Sequence, residues 1–90
     1  MLNNLEELIK LVRERKDRPK SESYTNKLLS DKSLIKAKVF EEINELIEAV
    51  EKNTNKIHES ADVLYHLIVY LEANDINIED VMDELKKRRK

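Results

Sequence analysis

Acidic side chains recur three and four residues apart in two neighbouring stretches of this sequence. In chain order, the groups that could bind a cation or move a proton are Glu41, Glu42, Glu45 and Glu48, then Glu59, Asp62 and His66. Carboxylate oxygens bind hard divalent cations, and a carboxylate that is not fully used as a ligand can take a proton from water. The chain has no cysteine, so an all-oxygen site favours Mg²⁺ or Mn²⁺. The pattern therefore predicts a carboxylate site for one of these two ions.

The first acidic stretch has a simpler interpretation as a solvated helix face. Glutamates on one helix face are ordinarily exposed, and Glu48 with Lys52 is an ordinary i,i+4 ion pair. That interpretation does not extend to Glu59 and Asp62, which lie on the most apolar predicted helix, where burying an unpaired carboxylate is costly. His66 by itself is more typical of a packed, hydrogen-bonded core histidine than of a ligand, so we assign it to the lining of the pocket.

Two predicted helices joined by a short turn position these acids. Apolar residues at helical spacing predict helices at about 33–52 and 56–73, with a polar break between them. Counting outward from the turn brings Glu45 level with Asp62, because both helices rise by about 1.5 Å per residue. The two acidic faces should therefore meet, and like charges at that distance raise each other's pKa or recruit a cation.

The remaining elements are also predicted to be helical. An amphipathic helix is expected at 2–16, and Pro19 then opens a loop. Hydroxyl residues from Ser23 onward cap a short helix through about residue 29, Ser33 is predicted to cap the third helix, and Asn77 the last. The prediction is an all-α fold whose centre is an antiparallel helical hairpin.

Chain length and surface predict the assembly. Residues 1–90 form one domain, because a chain this short has no room for a second core. The 56–73 helix is apolar over more of its surface than one hairpin partner can cover. A four-helix-bundle-like core completed by a homodimer is therefore expected.

Composition argues against two classes of partner. Charged residues make up 40% of the chain but the net charge is only −2, which lacks the basic excess of a nucleic-acid-binding protein. The longest apolar run, 63–71, is interrupted by His66 and is far shorter than the roughly 20 residues of a membrane-spanning helix. The N-terminus also lacks the basic and then apolar pattern of a secretory signal. We therefore expect a cytoplasmic protein that binds neither nucleic acid nor a membrane.

The acidic pattern resembles a family signature. Glu41-Glu42-x-x-Glu45 followed by Glu59-x-x-Asp62 is similar to the EExxE…ExxD signature of the all-α nucleoside-triphosphate pyrophosphatases, the MazG-like superfamily. The resemblance implies the helical fold and a metal-dependent hydrolysis of a phosphoric anhydride.

Further segments narrow the resemblance. Pro19 followed by SYT at 23–25 and KLL at 27–29, and ADVLYHL at 61–67, resemble the phosphoribosyl-ATP pyrophosphohydrolases, from the first helix to Val81. This resemblance implies Mg²⁺-dependent hydrolysis of phosphoribosyl-ATP to phosphoribosyl-AMP and pyrophosphate, the second step of histidine biosynthesis. It also implies a homodimer.

The resemblance also implies individual roles. The metal ligands would be Glu42, Glu45, Glu59 and Asp62. Glu41 would be an accessory ligand, and Glu41 or Glu45 would take the proton of the attacking water. The residues implied near the substrate are Lys38, which could reach a phosphate, with Ser23, Tyr24, Thr25 and His66. The 23–25 segment has a simpler alternative as a plain helix cap.

Two positions depart from the family pattern, and two other functions stay open. Glycine is common just before the paired glutamates and in the loop before the third helix, where this chain has Phe40 and Asp31-Lys32. We predict that Phe40 packs into the core.

A house-cleaning pyrophosphatase acting on a nucleotide such as dUTP or dCTP would share the acids but gives no reason for the 23–25 segment. A non-enzymatic helical interaction module would leave the acids solvated.

Overall fold

The computed structural model of the protein describes residues 1–89, which form five α-helices and no strand. The helices are α1 (Asn3–Asp17), α2 (Tyr24–Ser30), α3 (Lys32–Lys52), α4 (Lys56–Ala73) and α5 (Ile78–Arg88). The predicted all-α class is confirmed, and so is the central hairpin, since α3 and α4 differ from the predicted ranges by at most one residue. Lys90, the last residue of the predicted 1–90 domain, lies outside the described part.

Polar side chains determine where three of the helices begin. The predicted caps Ser23 and Asn77 are confirmed, because each accepts a hydrogen bond from a backbone N–H in the first turn of α2 or α5. The predicted Ser33 cap is wrong, since Asp31 Oδ1 accepts the backbone N–H of Leu34 at 3.0 Å. A carboxylate at this position both satisfies a free donor and faces the positive end of the helix dipole.

The turn between α3 and α4 is built from asparagine instead of glycine, which the chain lacks. Asn53 and Asn55 have φ values of 56° and 46°, in the left-handed region that asparagine tolerates better than most residues. The backbone N–H of Asn53 donates to the carbonyls of Ala49 and Val50, which satisfies the end of α3. This turn sets the register in which α3 and α4 face each other, and the two helices pack more extensively than any other pair.

All five helices contribute to one hydrophobic core. Its buried members are Val12, Leu28, Ile35, Ile68, Val69, Ala73 and Ile78. The prediction that Phe40 packs into this core is wrong, because its side chain is 63% exposed. Phe40 precedes Glu42 by two residues, or about 200° around the helix, so it lies opposite the face of α3 that meets α4.

Two apolar stripes remain on the outside of the hairpin. They consist of Phe40, Ile43, Ile47 and Val50 on α3, and of Ile57, Leu64 and Leu67 on α4. Successive members are three or four residues apart in the α3 stripe and seven or three apart in the α4 stripe, so each stripe occupies one side of its helix. Ile57 is 88% exposed. The prediction that α4 is apolar over more surface than α3 can cover is therefore confirmed.

Ion pairs fasten α5 to the rest of the fold at the end of α4 distant from Glu59. Arg13 on α1 donates from Nε to the buried Glu72 at 3.1 Å and from Nη1 to Glu79 at 2.9 Å. The Arg13 guanidinium lowers the pKa of Glu79 to about 2.

Among residues 1–89, no helix is both long and apolar enough to cross a membrane.

Candidate metal and substrate site

Glu42 brings the acidic face of α3 against α4. It is only 7% exposed. Burial raises the pKa of Glu42, the charge of Glu45 raises it further, and Asp62 on α4 adds to the effect, while His66 opposes it. The side chains of both helices therefore act on one another, as the predicted register requires.

Glu59 is the corresponding group on α4. Burial raises its pKa, the charge of Glu45 raises it next, and Asp62 contributes, while His58 lowers it. Glu45 thus acts on Glu42 of its own helix and on Glu59 of the facing helix. The four predicted metal ligands therefore affect one another across the two helices, and their role as ligands stays a prediction.

The donor set in this group fits a hard divalent cation. Glu41, Glu42 and Glu45 each offer an oxygen within 4.8 Å of the others, and the ligand atoms of His58, Glu59 and Asp62 form a second group with the same spacing. Within residues 1–89, the buried Oε2 atoms of Glu42 and Glu59 have no hydrogen-bond partner. Buried carboxylate oxygens in that condition are costly, and a cation would satisfy them. Carboxylates without a thiolate suit Mg²⁺ or Mn²⁺.

Two basic groups border the acids. Lys38 Nζ lies 3.2 Å from Glu41 Oε2, and this pair raises the pKa of Lys38. His58 Nε2 lies 3.3 Å from Asp62 Oδ2, at the exposed end of α4. Sequence reasoning gave His58 no role, although its i,i+4 spacing from Asp62 was a usable signal. These two groups cannot balance the charge of all the acids.

Tyr24 connects α2 to α4, the helix that bears Glu59 and Asp62. Its hydroxyl lies 3.1 Å from His66 Nε2, and His66 Nδ1 lies 2.8 Å from the backbone carbonyl of Asp62. Because a carbonyl only accepts, Nδ1 carries the proton and Nε2 accepts from the Tyr24 hydroxyl; this tautomer is assigned from the contacts. His66 is buried beside the acids, while Tyr24 remains 47% exposed. Their roles near the substrate stay predictions.

The other two members of the 23–25 segment are used within the fold. Ser23 is the cap of α2, and Thr25 is buried with its hydroxyl 2.6 Å from the hydroxyl of Tyr65. The Tyr65 ring is stacked with Tyr24 at a centroid separation of 6.3 Å and meets His66 edge-on at 5.0 Å. Sequence reasoning gave Tyr65 no functional role. Its position three residues after Asp62 was the available signal.

We expect Glu42→Gln to stabilise the metal-free protein, and to do so most at neutral pH. Because the folded state keeps the pKa of Glu42 above its ordinary 4.5, the folded protein retains a proton that the unfolded chain has released. Stability therefore falls as pH rises through that interval, and the full penalty remains above it. Glutamine removes the penalty. The measurement is the melting temperature in EDTA from about pH 4 to about pH 8.

The matched control is Glu48→Gln, at an exposed position paired with Lys52. Lys52 lowers the pKa of Glu48. The pair therefore stabilises the folded protein above the ordinary pKa of a glutamate, and this stabilisation is lost as the pH falls. The Glu42→Gln difference should grow toward neutral pH, and the Glu48→Gln difference should have the opposite sign. A Glu42→Gln difference that is the same at every pH would contradict the expected burial of its charge.

Known proteins are similar to this chain over nearly its whole length. The family model described as phosphoribosyl-ATP pyrophosphohydrolase matches residues 5–89. A phosphoribosyl-ATP pyrophosphatase of Clostridium novyi is 45% identical over 92 residues, which cover 96% of this chain and 81% of that protein. A phosphoribosyl-ATP pyrophosphatase of Methanococcoides burtonii is 40% identical over 90 residues, which cover 94% of this chain and 91% of that protein. The histidine biosynthesis bifunctional protein of Pyrococcus furiosus is 44% identical over 99% of this chain, which spans only 43% of that protein.

Proposed function

This chain belongs to the phosphoribosyl-ATP pyrophosphohydrolase family, and we propose that it hydrolyses phosphoribosyl-ATP to phosphoribosyl-AMP and pyrophosphate at the acids between α3 and α4. The protein is therefore a hydrolase of histidine biosynthesis. One observation carries the assignment of the site: Glu42 and Glu59, on facing helices, each have a buried carboxylate oxygen without a partner in the described residues. The chain spans 43% of the bifunctional relative, and the proposal concerns the hydrolysis of phosphoribosyl-ATP alone.

Four acids would hold the cation in this proposal: Glu42, Glu45, Glu59 and Asp62. A bound Mg²⁺ or Mn²⁺ neutralises phosphate oxygens and lowers the pKa of nearby water. The mutual effects of these carboxylates on their pKa values support the assignment, because they require the groups to lie close together. His66 lines the site beside them and keeps its ring in place through Asp62.

The remaining polar groups would orient the substrate and take up a proton. Lys38 is half-buried beside Glu41 and supplies a positive charge that can reach a phosphate oxygen. Glu41 and Glu45 are exposed, and either is available to accept the proton of the attacking water. The exposed ring of Tyr24 contacts the substrate beside the acids, while Ser23 and Thr25 keep α2 in position. Because the substrate is made from ATP, we also propose that the enzyme works in the cytoplasm.

The test of the proposed function is a substrate panel with pyrophosphate release as the measurement. Phosphoribosyl-ATP is compared with ATP, dUTP and dCTP in Mg²⁺. We expect the highest kcat/KM for phosphoribosyl-ATP. Faster hydrolysis of dUTP or dCTP would indicate a house-cleaning pyrophosphatase instead, and no metal-dependent turnover of any substrate would indicate a helical interaction module.

We further propose that a second copy of the chain covers the apolar stripes of α3 and α4. Exposed apolar surface of this extent is unusual on a monomer, and a two-fold axis would let each stripe meet its counterpart. Light scattering should give about twice the chain mass of 10.7 kDa. Ile47→Glu, in the middle of the α3 stripe, should produce the single-chain mass, because it would bury an unpaired charge.

The control for the dimer is Leu2→Glu, since Leu2 is also exposed but lies outside both stripes. This variant should keep the mass of two chains. A wild-type protein with the mass of one chain at micromolar concentration would contradict the proposed homodimer.

A further inference from the structure

A broad groove lies between α2 and the loop that precedes it, next to the acids but separate from them. Its volume is about 940 Å³, within the range of roughly 300–1,000 Å³ that is usual for small-molecule sites. Its wall includes Lys20, Ser21, Glu22, Tyr24 and Lys27. The functional roles described so far use only Tyr24 from this set.

Two lysines give the groove available positive charge. Among residues 1–89, neither Lys20 nor Lys27 takes part in an ion pair. Lys16, which also lines the groove, differs from them because its Nζ lies 2.6 Å from Asp75. The groove therefore offers two ammonium groups for an anion, beside the hydroxyl and carboxylate groups of Ser21 and Glu22.

Tyr24 is the wall that the groove shares with the acid site. Its hydroxyl donates to His66, which in turn contacts Asp62. Burial has the largest effect and raises the pKa of Tyr24, the charge of Lys38 lowers it, and the charges of Glu42 and Glu41 raise it by smaller amounts. A ligand that lies across Tyr24 would thus have one part at the acids and another in the groove.

Phosphoribosyl-ATP has two anionic ends, which require different surroundings. The triphosphate suits acids that hold a cation, whereas the 5-phosphate of the added phosphoribosyl group would be repelled there. On the basis of the proposed function, we propose that the groove is a sugar-phosphate subsite. Lys20 and Lys27 bind the 5-phosphate, and the groups at 21–22 hydrogen-bond the ribose hydroxyls. This subsite would distinguish the substrate from ATP, which lacks the phosphoribosyl group.

Kinetics of lysine variants test the subsite. Lys20→Gln and Lys27→Gln should each raise KM for phosphoribosyl-ATP about tenfold, and the double variant about a hundredfold, because each removes a charged hydrogen bond. The value of kcat should stay near wild type. The matched control is Lys10→Gln, on the exposed surface of α1 outside the groove, and it should change neither constant.

Inhibition by ATP identifies which end of the substrate the lysines bind. The inhibition constant of ATP should be the same for wild type and for the double variant. A parallel rise of that constant would place the lysines at the triphosphate and overturn the subsite. A double variant with the KM of Lys10→Gln would also overturn it.

A binding experiment separates this proposal from the proposed function. Ribose 5-phosphate, added to ¹⁵N-labelled wild-type protein, should shift the backbone amide signals of the 20–27 segment, and ribose should not. The double lysine variant should lose these shifts, and its melting temperature should be the same as that of Lys10→Gln. No shift with ribose 5-phosphate, or equal binding of inorganic phosphate, would overturn the subsite. Failure of wild type to hydrolyse phosphoribosyl-ATP would instead refute the proposed function.

Discussion

Replacing Glu42 by glutamine should reduce hydrolysis of phosphoribosyl-ATP by more than about a hundredfold. Mutating a residue that only supports a metal ligand reduces activity by up to about a hundredfold, and loss of a ligand should reduce it further. Asp62→Asn should have the same effect. Glutamine and asparagine keep the size of the side chains but remove the charge that a divalent cation requires. Glu42 has a buried carboxylate oxygen without a partner in the described residues, and the charge of Asp62 on α4 acts on it.

The loss of activity should occur without loss of the fold. Circular dichroism should show wild-type helicity, and the metal-free variants should melt no lower than wild type, because one of several mutually repelling charges is gone. Glu48→Gln is the control, since Glu48 pairs with Lys52 at the surface and should be dispensable. Wild-type turnover by Glu42→Gln and Asp62→Asn would remove both residues from the proposed site.

Removal of divalent cations should abolish activity and lower the melting temperature. The acids between α3 and α4 have only Lys38 and His58 as basic neighbours in ion-pair contact within residues 1–89, so the protein itself leaves most of their charge uncompensated. A cation at a hundred times its Kd would stabilise the folded state by about 2.7 kcal/mol. Dialysis against EDTA should therefore lower the melting temperature, and added Mg²⁺ should restore both stability and turnover.

The same titration distinguishes binding at the acids from a general salt effect. The rise in melting temperature with Mg²⁺ should be much smaller for Glu42→Gln than for wild type, and unchanged for Glu48→Gln. Full activity in excess EDTA would contradict the proposed role of the cation.

The helical hairpin was predictable because its signals are local. Apolar residues repeat at helical spacing through both long helices, and 53–55 is the only polar break between them. Two local details were wrong for physical reasons. Asp31 is a stronger cap than Ser33 because its carboxylate also interacts with the helix dipole. Phe40 lies on the face of α3 opposite Glu42, and the apolar pattern alone did not show which face meets α4.

The convergence of the acids was also predictable, since register follows from the turn and the common rise of two helices. The contacts of α2 were not. Thr25 and Tyr65 are 40 residues apart, and Tyr24 and His66 are 42 apart, so these contacts depend on how α2 docks against α4. The groove beside Tyr24 depends on the same docking. Spacing along the chain therefore predicted the acids but not the surface that borders them.

The products of the reaction test the central claim most directly. Wild-type protein is incubated with phosphoribosyl-ATP and Mg²⁺, without added inorganic pyrophosphatase, and the products are resolved by ³¹P NMR, with Glu42→Gln as a control for contaminating enzymes. Attack between the α- and β-phosphates predicts phosphoribosyl-AMP and pyrophosphate as the only products, and no reaction with the variant. Orthophosphate with phosphoribosyl-ADP, or equal product formation by the variant, would contradict hydrolysis of this bond by the acids of α3 and α4.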